Sequence, residues 1–364
     1  MTTFSTTPNP NPASPQRRQE ILDAPGFGQY FTDHMVQIQW RGNVEAGTGE
    51  WEQPQVLPYG PLSMDPASAV LHYGQEIFEG LKAYKHGDGS VWTFRPEKNA
   101  ARINRSARRM AMPALPEELF LDSLKELVSR DKDWVPTGDG QSLYLRPFMI
   151  ANEVFLGVRA AREVLFSVIA SPAGNYFGEG TAVDIWLSKN WARAGHGGTG
   201  NAKCGGNYAA SLIAQMEGDA HGCQQVIFTD PQRGNAIEEL GGMNVFFVFD
   251  DNTLVTPELT GTILEGVTRD SIIQLAKDRG MTVQERAFTL DEWRDGVNSG
   301  RLTEVFACGT AAAISPVGRL ISDTEVIGPD DARPGEITMS LRKELLDIQT
   351  GRGEDRHGWL TRLA

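Results

Sequence analysis

Two periodicities alternate along the chain. Short apolar or alternating runs predict strands at HMVQIQW (34–40), SVWTF (90–94), SLYLRPFMIA (142–151), EVLFSVIAS (163–171), VDIWLS (183–188), QVIFTD (225–230), NVFFVFD (244–250) and VFACG (305–309). Between them, helical spacing predicts RPEKNAARINRSARRM (95–110), which has a proline near its start, and a further helix after Pro334. NYAASLIAQMEGDAHG (207–222) and GVTRDSIIQLAKDRG (266–280) are also predicted helices, each ending at a glycine suited to a C-cap. DDNT (250–253) reads as a hairpin turn, so part of a sheet runs antiparallel. Strands interleaved with helices predict an α/β or mixed α+β fold. The glycine-rich SPAGNYFGEGTA (171–182) separates two strong strands and reads as a hinge. The expected division is a mobile tail over 1–20, a domain over 21–174, a linker at 175–182 and a second domain over 183–364.

Composition narrows the function. The 364 residues can bury two cores, and 40% hydrophobic with 22% charged residues is ordinary for a globular chain. Lys plus Arg is 34 against 47 for Asp plus Glu, a net charge of −13. That balance argues against nucleic acid or an anionic membrane as the main partner. The longest apolar runs, such as VFFVF (245–249), are far too short to span a bilayer, and the polar start MTTFSTTPNPNPASPQRRQE lacks the apolar stretch of a signal peptide. Three cysteines without a C-x-x-C point to a reducing, cytoplasmic setting. Six histidines without an H-x-H or H-x-x-x-H pair predict no metal site.

The chemistry concentrates around AGHGGTGNAKCGGNYAAS (194–211), where Lys203 sits among six glycines. A nucleotide phosphate loop needs Gly-Lys-Ser/Thr, and Lys203 lies between Ala202 and Cys204. A dinucleotide fingerprint fails as well, because Lys203 occupies its third glycine position. Only nine of the 34 basic residues are lysines, so a lysine here suggests a primary amine rather than a charge alone. Amine–aldehyde chemistry would call for pyridoxal 5′-phosphate, an acid for its ring nitrogen and an anion site for its phosphate. Glu238 and Glu239 precede Gly-Gly and an apolar strand, and of the two Glu238 reads as part of an exposed acidic turn. LEGVTRDSI (264–272) and ACGTAAAIS (307–315) are candidate anion sites, the first at a helix start and the second as a backbone nest. Arg102, Arg105 and Arg109 share one helix face, and spacing does not choose among them.

Taken in order, FTDHMVQIQW, HYGQEIFEGLKAY, YLRP, GGNYAAS, EELGGMN, GVTRDS and FACGTAA resemble the branched-chain amino acid aminotransferases, pyridoxal-phosphate enzymes of class IV and fold type IV. The likeness runs from about residue 20 to the C-terminus. It implies a smaller N-terminal α/β domain, a larger pseudo-barrel C-terminal domain, a homodimer, and transfer of the amino group of leucine, isoleucine or valine to 2-oxoglutarate. By position, Lys203 matches the Schiff-base lysine, Tyr208 the tyrosine on the ring oxygen, Glu239 the acid at the ring nitrogen, and Arg102 the phosphate arginine. Val267, Thr268 and Thr310 match further phosphate contacts. Tyr144 with the Thr310–Ala311 amides matches the α-carboxylate site, and Arg146 the receiver of a second carboxylate. Phe31, Tyr73, Phe78 and Tyr176 match pocket walls, and Leu156 and Val158 a loop that reaches the neighbouring subunit. The chain departs from the family where Ala312 and Ser315 replace a redox C-x-x-C, where Glu265 replaces proline in Leu-Pro-Gly, and at Gly242, which removes a hydroxyl.

Overall fold

The computed structural model describes residues 2–174, 181–330 and 332–364. The chain divides into two compact units, Met1–Tyr176 with Ala202–Gly205 and Asp347–Ala364, and Phe177–Asn201 with Gly206–Leu346.

In the first unit, β1 (Ser5–Thr6), β2 (His34–Asn43), β3 (Thr48–Pro58), β4 (Glu76–Phe78), β5 (Leu81–Lys85), β6 (Val91–Phe94), β7 (Ser142–Ala151) and β8 (Glu163–Ala173) form one sheet with the C-terminal strand Leu360–Arg362. The order is β1-β3-β2-β8-β7-β5-β6 and then the C-terminal strand, with β4 on β7. β1 runs parallel to β3, and the other pairings are antiparallel. Strand β2 shows why: Val36, Ile38 and Trp40 are buried while Gln37 and Gln39 are only half-buried, the period-two pattern of a sheet with one core face. The helices are α1 (Pro15–Asp23), α2 (Ala69–Tyr73), α3 (Pro96–Arg109) and α4 (Glu117–Arg130). Phe120, Leu124, Leu127 and Val128 of α4 join Val36, Ile38, Phe166 and Val168 of the sheet in one core. Each such burial contributes about 1.5–3 kcal/mol.

The second unit holds β9 (Val183–Leu187), β10 (Gln225–Asp230), β11 (Ala236–Leu240), β12 (Asn244–Phe249), β13 (Thr253–Thr256), β14 (Thr282–Glu285), β15 (Leu302–Gly309) and β16 (Ala313–Ile321), in the order β11-β10-β9-β16-β15-β12-β13-β14, with a ninth short strand, Val326–Ile327, on β16. β9 runs parallel to β10 and β16, and β13 to β14. Its helices are α5 (Gly205–Ala220), α6 (Val267–Asp278), α7 (Leu290–Asn298) and most of α8 (Glu336–Gln349). Phe247 anchors the core, stacked on Phe288 at 3.8 Å and edge-on to Trp293 at 4.9 Å.

Three expectations need correction. Residues 2–20 are not a free tail. β1 pairs with β3, Thr2 N–H donates to Asp122 at 2.9 Å, and Ala13 N–H donates to Asp33 at 2.8 Å. Ser14 then caps α1 by accepting from Arg17 N–H at 3.1 Å, with Pro15 opening the helix. The polar composition was cap and turn chemistry, and the acceptors that order it lie far along the chain. Second, the chain beyond the hinge is not one domain, since Ala202–Gly205 and Asp347–Ala364 belong to the first unit. Positions 175–180 of the expected linker, Tyr176 included, lie outside the described residues. Third, Glu238 is no exposed turn: β11 is buried at all five positions, with Glu238 at 5% exposure.

Candidate active site

The first unit assembles an aromatic and cationic cluster around Lys203. Its Nζ lies 4.7 Å over the Phe78 ring, and Arg146 lies over the same ring at 4.8 Å. Arg146 Nη2 donates to the Tyr144 hydroxyl at 3.2 Å, while its buried Nε has no hydrogen-bond partner among the described residues. β7 explains the pairing, because Tyr144 and Arg146 are two apart and therefore share a sheet face. Gly80 is required beside them, since a Cβ there would run into the Tyr144 hydroxyl. Phe27 meets Tyr144 edge-on at 5.1 Å, Phe31 stacks on Tyr59 at 4.8 Å, and the Tyr73 hydroxyl donates to the Leu156 carbonyl. Leu156 and Val158 are exposed, at 60% and 87%.

Of the three arginines on one face of α3, Arg102 alone is buried, and Arg105 and Arg109 are exposed. Glu79 explains how a guanidinium can be buried there. Arg102 donates from Nε to Glu79 Oε1 and from Nη2 to Oε2, both at 2.8 Å, and Asn99 Nδ2 donates to Oε2 at 2.7 Å. Full burial by itself would raise the Glu79 pKa. The charge and hydrogen bonds of Arg102, with the Lys203 charge, outweigh it and hold the carboxyl below its ordinary range.

In the second unit Glu239 on β11 is 3% exposed and forms an ion pair with Arg193 Nη2. It also accepts from Leu264 N–H at 3.0 Å and from Asn244 Nδ2 at 3.4 Å. Arg193 in turn donates to the Gly200 and Thr262 carbonyls at 3.3 and 2.6 Å. Glu238 accepts from the Thr262 hydroxyl, and burial raises its pKa. Tyr208 stands in the first turn of α5, and a Cβ on Gly242 would touch its ring at 3.4 Å. The glycine that departs from the family pattern is therefore where the ring lies against bare backbone. Val267 and the buried Thr268 open α6 behind Gly266, so the first amides of that helix have no side-chain cap and suit an anion. Thr310 and Ala311 lie in the tight turn between β15 and β16. Cys308 before them is buried, which pushes its thiol far up and disfavours the thiolate.

Sequence reasoning missed Glu79, Arg193, Glu76, Ser106 and Tyr59. The first two carried a signal: a buried cation or carboxylate at the candidate positions requires a counter-charge. Within the second unit a phenol against bare backbone, a buried carboxylate and helix-start amides beside hydroxyls are groups that suit a phosphorylated aromatic ring, and within the first unit Lys203 presents a primary amine over an aromatic ring. Among the described residues no group of three or more His, Cys, Asp or Glu could hold a metal, and no helix is long and apolar enough to cross a membrane.

The amino-transferase class IV family matches residues 76–320. A branched-chain-amino-acid aminotransferase of Mycolicibacterium smegmatis is 53% identical over 99% of this chain and 98% of its own length. A probable branched-chain-amino-acid aminotransferase of Streptomyces coelicolor is 54% identical over 100% and 99%. Among solved structures, the Escherichia coli branched-chain amino acid aminotransferase superposes with a TM-score of 0.73 at 30% identity, covering 85% of this chain and 97% of that one. Another branched-chain amino acid aminotransferase, solved with pyridoxamine 5′-phosphate, gives 0.72 at 32% identity, covering 90% and 99%. Two nine-stranded mixed sheets, the Lys203 cluster and this full-length likeness lead to one conclusion: the chain belongs to the class IV aminotransferases.

Proposed function

We propose that this chain is a branched-chain-amino-acid transaminase, moving the amino group of L-leucine, L-isoleucine or L-valine to 2-oxoglutarate with pyridoxal 5′-phosphate as cofactor. The observation that carries the reading is the Lys203 amine over Phe78 beside Arg146, in a chain 53% identical along its length to a branched-chain aminotransferase. A solved relative carries N-(5′-phosphopyridoxyl)-L-glutamate, which supports both the cofactor and glutamate as the second amino acid.

When bound, pyridoxal 5′-phosphate supplies an aldehyde for amines and a ring that takes up electrons released at the substrate Cα. Lys203 would hold the aldehyde through its amine and, with that amine free, would move a proton between the substrate Cα and the aldehyde carbon. Glu239, its carboxylate paired with Arg193, would meet the ring nitrogen, and Tyr208 would hydrogen-bond the ring oxygen. Arg102, the Val267 and Thr268 amides and the Thr310 hydroxyl would be the groups that hold the phosphate. The Tyr144 hydroxyl and the Thr310–Ala311 amides hold the substrate carboxylate. Phe31, Tyr73 and Phe78 wall the aliphatic side chain, and Arg146 takes the second carboxylate when glutamate occupies the site. The chain acts as a homodimer in the cytoplasm, Leu156 and Val158 reaching the partner's pocket; their exposure supports this.

The test is a half-reaction panel of L-leucine, L-isoleucine, L-valine, D-alanine and L-glutamate, with borohydride reduction and peptide mapping. The three branched substrates and glutamate should react, and the label should fall on Lys203. Lys203→Ala should show neither label nor turnover. Reaction with D-alanine alone, or a label on another lysine, would reject the reading.

A further inference from the structure

Lys203 belongs to the first unit, although the residues before Ala202 and after Gly205 belong to the second. Three hydrogen bonds made inside the first unit hold it there. Lys203 N–H donates to Ser106 Oγ at 2.9 Å, the Lys203 carbonyl accepts from Phe78 N–H at 2.9 Å, and Gly205 N–H donates to Glu76 Oε1. Peptide groups on both sides of the lysine are thereby fixed, while its side chain runs out to an Nζ 4.7 Å over the Phe78 ring.

The anchors are built for this. Ser106 is fully buried on α3, one turn beyond Arg102. Glu76 opens β4, two residues before Phe78, so one short strand brings both a carboxylate and a backbone donor to the lysine segment. A Cβ on Gly205 would collide with the Glu76 carboxylate, so glycine is what lets the bond form. The surrounding glycines supply no order of their own, and fixing each residue costs about 1–2 kcal/mol of backbone entropy. An amine that must change partners during turnover needs a fixed pivot, because a reactive group about 1 Å out of place loses about a hundredfold in rate.

We propose that Glu76 and Ser106 are positioning residues for Lys203, pinning the peptide groups on either side of it so that only the side chain moves during turnover. This rests on Lys203 being the reactive amine; Glu76 and Ser106 act through the backbone.

The experiment compares Glu76→Ala, Glu76→Gln and Ser106→Ala in the full chain, with and without cofactor. Amide hydrogen exchange is read in peptides covering 202–206, alongside kcat and KM for L-leucine. Losing either anchor should speed exchange there at least about tenfold and lower kcat at least about tenfold, with KM within about twofold. Glu76→Gln keeps an acceptor oxygen and should stay within about threefold of the parent in both readouts. Ser106→Ala removes one hydroxyl without disturbing helix packing, so it tests the clamp even where Glu76→Ala does not fold. Unchanged exchange in the alanine variants, faster exchange with intact kcat, or Glu76→Gln failing as badly as Glu76→Ala would each overturn the proposal. Borohydride mapping of the same samples separates the two levels: a label away from Lys203 rejects the assignment of the amine, whereas a label on Lys203 with indifferent variants rejects only the clamp.

Discussion

Buried charge is a constraint on the candidate residues of each unit. Arg102 and Glu239 are buried charges, costly to bury without a counter-charge, and each has a partner that the sequence does not announce, Glu79 and Arg193. Breaking such a pair leaves one uncompensated charge and costs about 3–5 kcal/mol. Glu79→Gln should therefore lower the urea midpoint at pH 7. Because the Glu79 carboxyl is held below its ordinary range, its contribution is full above that range and fades as pH falls through the depressed value. The gap between parent and variant should thus close on acidification below about pH 4, as denaturation at several pH values will show. A gap that is constant with pH would mean that packing, not charge, dominates. Arg146, like Arg193 and Arg269, has a buried Nε without a hydrogen-bond partner among the described residues. Arg146→Ala should lower kcat/KM for glutamate and 2-oxoglutarate at least about tenfold more than for leucine, the scale of a lost charge-assisted hydrogen bond. Equal losses would take the second-carboxylate role away from it.

Among the elements, those with an unbroken apolar period were legible and those whose burial depends on partners were not. The predicted NVFFVFD strand is β12, and DDNT is the turn into β13, with Asn252 at φ +64° supplying the left-handed residue. The α3 and α6 helices start within a residue or two of their predicted positions because proline and glycine mark them. β11 failed because two adjacent glutamates look like a turn. It is a strand because Thr262, Arg193, Leu264 and Asn244 satisfy both carboxylates from the rest of the unit. β1 and α1 failed for the same reason, since their ordering contacts with Val56, Asp122 and Asp33 lie outside any local window.

At the scale of the whole molecule, the exposed apolar side chains of the described residues include two groups. Leu71, Val154, Leu156 and Val158 lie in the first unit, and Leu212, Ile213 and Met216 on α5 in the second. Exposed apolar surface of this kind is a mark of association, and native mass spectrometry of the purified chain should give twice the chain mass. A monomer that is fully active with leucine would remove the role proposed for Leu156 and Val158. The sequence by itself determined the mixed fold and the class of chemistry, and it singled out Lys203 as the candidate amine. Those depend on local periodicity, on glycine and proline at fixed offsets, and on residue types that only one chemistry needs. Only the tertiary structure decided that Arg102 is the buried arginine of its helix face, which counter-charges hold Arg102 and Glu239, and that Glu76 and Ser106 grip the backbone at Lys203. Each of these is a pairing between residues distant in sequence. Burial and electrostatics act through space, and nothing in the local pattern of a chain records which distant group will arrive.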